Sequence, residues 1–149
     1  MQLSKFKLRL SAALVAATLL NVGLPIFHLQ FIANSQVLAQ SVEERQAEAD
    51  RLLQQGIEQA QVSQFEAALQ SWQQALIIYR EIKDRLGERQ SLGNLGNAYQ
   101  FLGDYPKAID YHQKSLAIAR EIKDRRAEGQ SLINLGIAYY SLGDYPKAI

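Results

Sequence analysis

EIKDRLGERQSLGNLGNAYQFLGDYPKAI (residues 81–109) returns as EIKDRRAEGQSLINLGIAYYSLGDYPKAI (residues 121–149) at an offset of 40 residues with no gap. Of the 29 aligned positions 22 are identical. The seven that differ are Leu86/Arg126, Gly87/Ala127, Arg89/Gly129, Gly93/Ile133, Asn97/Ile137, Gln100/Tyr140 and Phe101/Ser141. A repeat of this length predicts a solenoid, in which each unit buries its apolar face only against its neighbours.

Within the repeat, Leu92, Leu95, Gly96, Tyr99 and Leu102 recur at steps of three and four, the spacing of one helical face. They predict a first helix over about 87–102. Gly96 lies inside that face, where glycine costs about 1 kcal/mol of helix propensity, so a neighbouring helix is expected to come close there. Gly103-Asp104 supplies a stop and a restart, glycine taking the left-handed conformation and aspartate capping the next helix. Pro106 falls in that helix's first turn, where its missing N–H does no harm. The second helix is expected over about 105–123, with Ala108, His112, Ser115, Ala119 and Ile122 inward, and Asp84 and Asp124 capping the helices that follow.

Upstream the pattern is degenerate but in register. Gly56 precedes Gly96 by 40 residues and Ala68 precedes Ala108 by the same interval. Helices are expected over about 43–61 and 65–83, the first opened by a capping box of Ser41 and Glu44. The expected fold class is all-α, a right-handed α-solenoid over residues 43–149. Its units run over about 46–85, 86–125 and a truncated 126–149.

Before Glu43 there is no acidic residue, and the charges are Lys5, Lys7 and Arg9. The apolar run LSAALVAATLL (residues 10–20) follows, and Val37-Leu38-Ala39 offers a small-residue exit before Gln40, with Ala33-Asn34-Ser35 as the alternative exit. These are the parts of a signal peptide over residues 1–39. The alternative is a retained membrane anchor over residues 10–32. Either sends the remainder across a membrane, to a periplasmic or extracellular location. Without residues 1–39 the chain has 13 Lys/Arg against 15 Asp/Glu, a charge of −2 rather than +1. Alternating charges of this kind argue against a nucleic-acid partner, which calls for a concentrated basic face. There is no cysteine, hence no disulfide framework or thiol nucleophile.

At NLGNAYQFLGDYPKAI and NLGIAYYSLGDYPKAI the chain resembles the tetratricopeptide repeat (TPR) family. The matching positions are Leu95-Gly96, Tyr99, Gly103-Asp104-Tyr105 and Ala108, with Trp72 or His112 in the last aromatic slot. The 40-residue period and the lack of a proline closing the second helix are similar to the longer repeats of kinesin light chain and LGN-type adaptors. The resemblance implies a groove lined by the first helix of each unit. Its residues here would be Gln54, Gln90, Asn94, Asn97, Phe101, Gln130, Asn134, Ile137 and Tyr140. Asn94 and Asn134 would form a ladder of amides, each able to donate to and accept from a peptide backbone. The family's basic carboxylate clamp is not matched, because Gln90, Gly93, Gln130 and Ile133 stand at its positions.

No catalytic set, cofactor motif or metal-ligand spacing stands out. Gly93-Asn94-Leu95-Gly96 lacks the preceding strand and the Lys-Ser/Thr of a phosphate loop. His112 and Trp72 read as core, Asp104 and Asp144 as caps, and Arg80, Glu81, Lys83 and Asp84 as a solvated helix end. The expected function is a non-enzymatic scaffold for a protein or peptide ligand. Two alternatives stand beside it. One is a regulatory arm of a larger bacterial protein whose effector, such as a caspase-like CHAT domain, lies beyond Ile149. The other is a structural module that self-associates through its C-terminal end.

Overall fold

The computed structural model describes residues 26–148, with side chains from Leu38 onward. The chain divides into two units, residues 1–41 and 42–149. The apolar run and basic start of the expected signal lie in residues 1–25, outside the described residues, as does most of the alternative anchor. No helix among the described residues is long and apolar enough to cross a membrane. The helices are α1 (Ile26–Gln61), α2 (Phe65–Glu81), α3 (Arg85–Phe101), α4 (Tyr105–Glu121), α5 (Arg125–Leu142) and α6 (Tyr145–Ala148). The described residues contain no strand.

In residues 42–149 each helix packs on the next, which makes an all-α solenoid. Trp72 and Leu76 of α2, Leu92, Leu95 and Ala98 of α3, and Ile118 of α4 share one core cluster, with Leu53 and Ile57 of α1 against it. Ala108, Ile109 and Leu116 of α4 join Leu135 and Ala138 of α5 in another. Leu92, covered by α2 and α4, is 1% exposed; its copy Leu132 on α5 is 47% exposed.

Every connection is the same turn, repeated at 20-residue intervals. Ser63, Lys83, Gly103, Lys123 and Gly143 all have positive φ, between 60° and 87°. The N–H of the following residue reaches back five positions: Asp84 to the Tyr79 carbonyl at 2.8 Å, Asp104 to Tyr99 at 2.9 Å, Asp124 to Ala119 at 2.8 Å. This is the Schellman closure of a helix C-terminus. The aspartate then accepts from the N–H three residues on, Asp84 from Gly87 at 3.0 Å and Asp124 from Ala127 at 3.0 Å. The helices therefore begin at Arg85 and Arg125, two residues earlier than the apolar pattern suggests.

Two expectations are corrected. α1 begins upstream of residue 43, so Ser41 lies inside it and forms no capping box. Its hydroxyl donates to the Leu38 carbonyl at 2.7 Å, since the N–H groups it would have capped are paired within the helix. The charged helix ends are also not simply solvated. Arg45 pairs with Glu81 and Arg85 with Glu121, 40 residues apart in register. Glu88, 7% exposed, sits between Arg80 at 2.8 Å and Arg85. A carboxylate so buried is held by two guanidinium partners.

The close approaches fall on glycine. A Cβ at Gly56 would lie 2.4 Å from the Trp72 indole, one at Gly96 would lie 2.6 Å from the His112 ring, and one at Gly87 would lie 2.3 Å from Tyr79. Each bulky ring needs a partner helix with no side chain at that point. This is why Gly96 persists on the packing face.

Candidate functional site

The first helices of successive units, α1, α3 and α5, present their faces to a trough made of two neighbouring cavities. One, of about 300 Å³, is lined by Ile57, Ala60, Phe65, Trp72, Asn94, Asn97, Ala98 and Phe101. The other, of about 280 Å³, is lined by Leu53 and Ile57, by Arg89, Gln90, Gly93, Asn94 and Asn97, by His112 and Ser115, and by Gln130, Ser131 and Asn134. Ile57, Asn94 and Asn97 belong to both, so the two cavities are neighbours along the trough.

The ends of the trough differ in chemistry. At one end the Phe101 ring, 75% exposed, stacks on Phe65 with centroids 5.2 Å apart. The middle is amide-rich. The Asn134 side-chain amide donates to Asn97 Oδ1 at 3.1 Å, and that of Gln130 donates to Asn134 Oδ1 at 3.0 Å. Asn94 lines both cavities and makes no hydrogen bond through its amide among the described residues. The two asparagines are thus not a uniform row: Asn134 is tied across the helices, and Asn94 is open.

Of the residues singled out in the sequence, Gln90, Asn94, Asn97, Phe101, Gln130 and Asn134 come together on these cavities. Gln54 lies off them and donates to Glu58 at 3.1 Å. Ile137 and Tyr140 line a separate apolar cavity of about 370 Å³ with Gly136, Tyr145 and Ala148. Tyr140 packs edge-on against Tyr145 there, centroids 5.4 Å apart.

Sequence reading missed Ile57, Phe65, Arg89 and Ser131. Arg89 was legible only as one of the seven differences, and Phe65 only as the residue opening α2. Trp72 and His112 do sit in the core, at 4% and 1% exposure, yet each shows an edge to the trough. The Trp72 indole N–H donates to the Leu53 carbonyl at 3.1 Å. Neither ring nitrogen of His112 has a partner among the described residues. Burial alone pushes its pKa down to about 4, so the ring is neutral near pH 7.

Stacked helix pairs, glycine-on-ring packing and an open face formed by alternate helices agree with the comparison to family models. The model described as tetratricopeptide repeat matches residues 56–121 and 89–149. The chain belongs to the tetratricopeptide repeat family. Among solved structures, the TPR domain of Arabidopsis FLU is similar to this TPR chain, with 27% identity and a TM-score of 0.67. The alignment covers 70% of this chain and 87% of that one. BtubC (BKLC) from P. vanneervenii is similar in fold, at 22% identity and a TM-score of 0.64, covering 80% of this chain and 50% of that one. Among curated proteins no match is found. TPR domains are in general non-catalytic scaffolds for protein or peptide partners.

Proposed function

We propose that this TPR chain holds an extended peptide segment of a partner protein in the trough between α1, α3 and α5. The observation that carries the reading is that the two neighbouring cavities share Ile57, Asn94 and Asn97 as lining. An apolar pocket beside Phe101 thus lies next to an amide-lined floor. An amide floor suits a peptide backbone, whose N–H and C=O groups need partners when they leave water. The stacked helices fix these groups in advance, so less entropy is lost on binding. The 40-residue spacing of the helix pairs supports the longer-helix subtype, and the composition of residues 1–39 supports export.

The test is a peptide array probed with the purified protein and with the Asn94→Ala plus Asn134→Ala variant. Binding weakened in the variant, with far-UV circular dichroism unchanged, supports the trough. Binding unchanged by both substitutions removes it.

A further inference from the structure

The polar half of the trough contains a recess that its apolar half lacks. Gly93 opens it. A Cβ built there would meet only the Ser115 hydroxyl, at 3.6 Å. In the next unit Ile133 occupies this position. Behind the opening lie His112, 1% exposed with both ring nitrogens unpartnered, and Arg89, whose Nε is buried and likewise unpartnered. The nearest counter-charge to Arg89 is Asp124, at 3.9 Å, the outer limit of an ion pair. An adjoining cavity of about 380 Å³ shares Arg89, Ala127 and Gln130 and adds Arg126 and Asp124. The charged side chains around the two cavities are therefore Arg89 and Arg126 against Asp124, an excess of one positive charge.

The geometry points to this recess as a subsite for a carboxylate of the bound peptide, an Asp or Glu side chain that enters past Gly93 and pairs with Arg89. The inference rests on the trough reading above and adds a charge preference to it. A buried guanidinium N–H without an acceptor is costly, and a carboxylate is the acceptor that offsets most of that cost. Neutral His112 offers one further N–H from the recess wall, while the Ser115 hydroxyl donates to the Arg89 carbonyl at 3.3 Å and that of Ser131 to Ser115 at 3.4 Å.

The experiment uses two pools of otherwise random peptides, one with a fixed central glutamate and one with a fixed central glutamine. Both are titrated against the intact protein and against Arg89→Gln and Gly93→Ile. The second variant installs the residue found one unit later, and its Cβ meets no backbone within 4 Å. The intact protein is expected to prefer the glutamate pool by about tenfold or more, the scale of one charge-assisted hydrogen bond. The preference should fall towards unity in each variant. Equal binding of the two pools by the intact protein overturns the subsite while leaving the trough standing. A preference that survives both substitutions overturns its placement at Arg89 and Gly93. Failure of both pools to bind overturns the trough and the subsite together.

Discussion

Replacing Gly96 by alanine sets two effects of opposite sign against each other. Helix propensity alone favours alanine in the middle of α3 by about 1 kcal/mol. The new methyl, however, would lie 2.6 Å from His112 Cε1 and Nδ1 and 2.9 Å from Nε2. That ring is 1% exposed, so it cannot swing into solvent. Overpacking of a closed core costs about 1–3 kcal/mol, and a clash with three ring atoms belongs at the upper end. The net loss is then about 2 kcal/mol, and each kcal/mol lowers the melting temperature by about 4–8 °C in a domain of this size. Gly129→Ala is the control, because a Cβ there meets nothing within 4 Å. It keeps only the propensity gain and should stabilise by up to about 1 kcal/mol. Far-UV circular dichroism melts of both variants, with His112→Ala and Gly96→Ala/His112→Ala completing a double-mutant cycle, read the coupling directly. The coupling should be at least about 1 kcal/mol, since removing the ring makes room for the methyl. A Gly96→Ala protein melting at or above the parent would refute the packing of ring on backbone.

Two further outcomes follow from the same structure. With the His112 pKa depressed to about 4 in the fold against an ordinary 6.5, the unfolded chain takes up a proton between these values that the folded chain does not. Stability is therefore full above about pH 6.5, falls by at most about 1.4 kcal/mol per pH unit down to about pH 4, and then levels for this group. Urea titrations across that window should show a shallower slope in His112→Phe, and an identical slope would rule out the histidine as its source. Lys83 and Lys123 occupy the left-handed region at φ 61° and 60°, where a side chain is strained. Glycine at either position should raise stability by up to about 1 kcal/mol, the strain relieved outweighing the extra freedom of the unfolded chain; a lower melting temperature in both variants would contradict this.

The helices were legible because their determinants are local and repeated. The stripe Leu92, Leu95, Gly96 and Tyr99, the Asp84 and Asp124 caps and Pro106 all act within a few residues of where they stand. The turns were only half legible. Gly103 announces a left-handed residue by its identity, whereas Lys83 and Lys123 adopt the same φ because the packed helices on either side impose it. The start of α1 was misread because Ser41 and Glu44 match a capping box equally well inside a continuous helix. In the trough, Asn94 and Asn134 were found by their 40-residue spacing. The bond from Asn134 to Asn97 was not, since it joins two helices at a separation of 37 residues, outside the repeat register.

The differences between the two copies bear on what the trough is for. Arg89, Gly93, Asn97 and Phe101 follow one another at steps of four along α3, which keeps them close to a single line on the helix surface. All four line the trough, and all four are among the seven positions at which the copies differ. Their counterparts on α5 are Gly129, Ile133, Ile137 and Ser141, so the guanidinium, the opening and the amide give way to a flatter and more apolar line. Gly87/Ala127 has a packing reason instead: Gly87 receives the Tyr79 ring, while Ala127 faces a unit in which Ala119 replaces that tyrosine. Packing thus explains a difference by a matching change on the neighbouring helix. The four along the α3 line border the open side of the solenoid instead, and Phe101 also has a packing partner there, Phe65, whose counterpart one unit later is Tyr105.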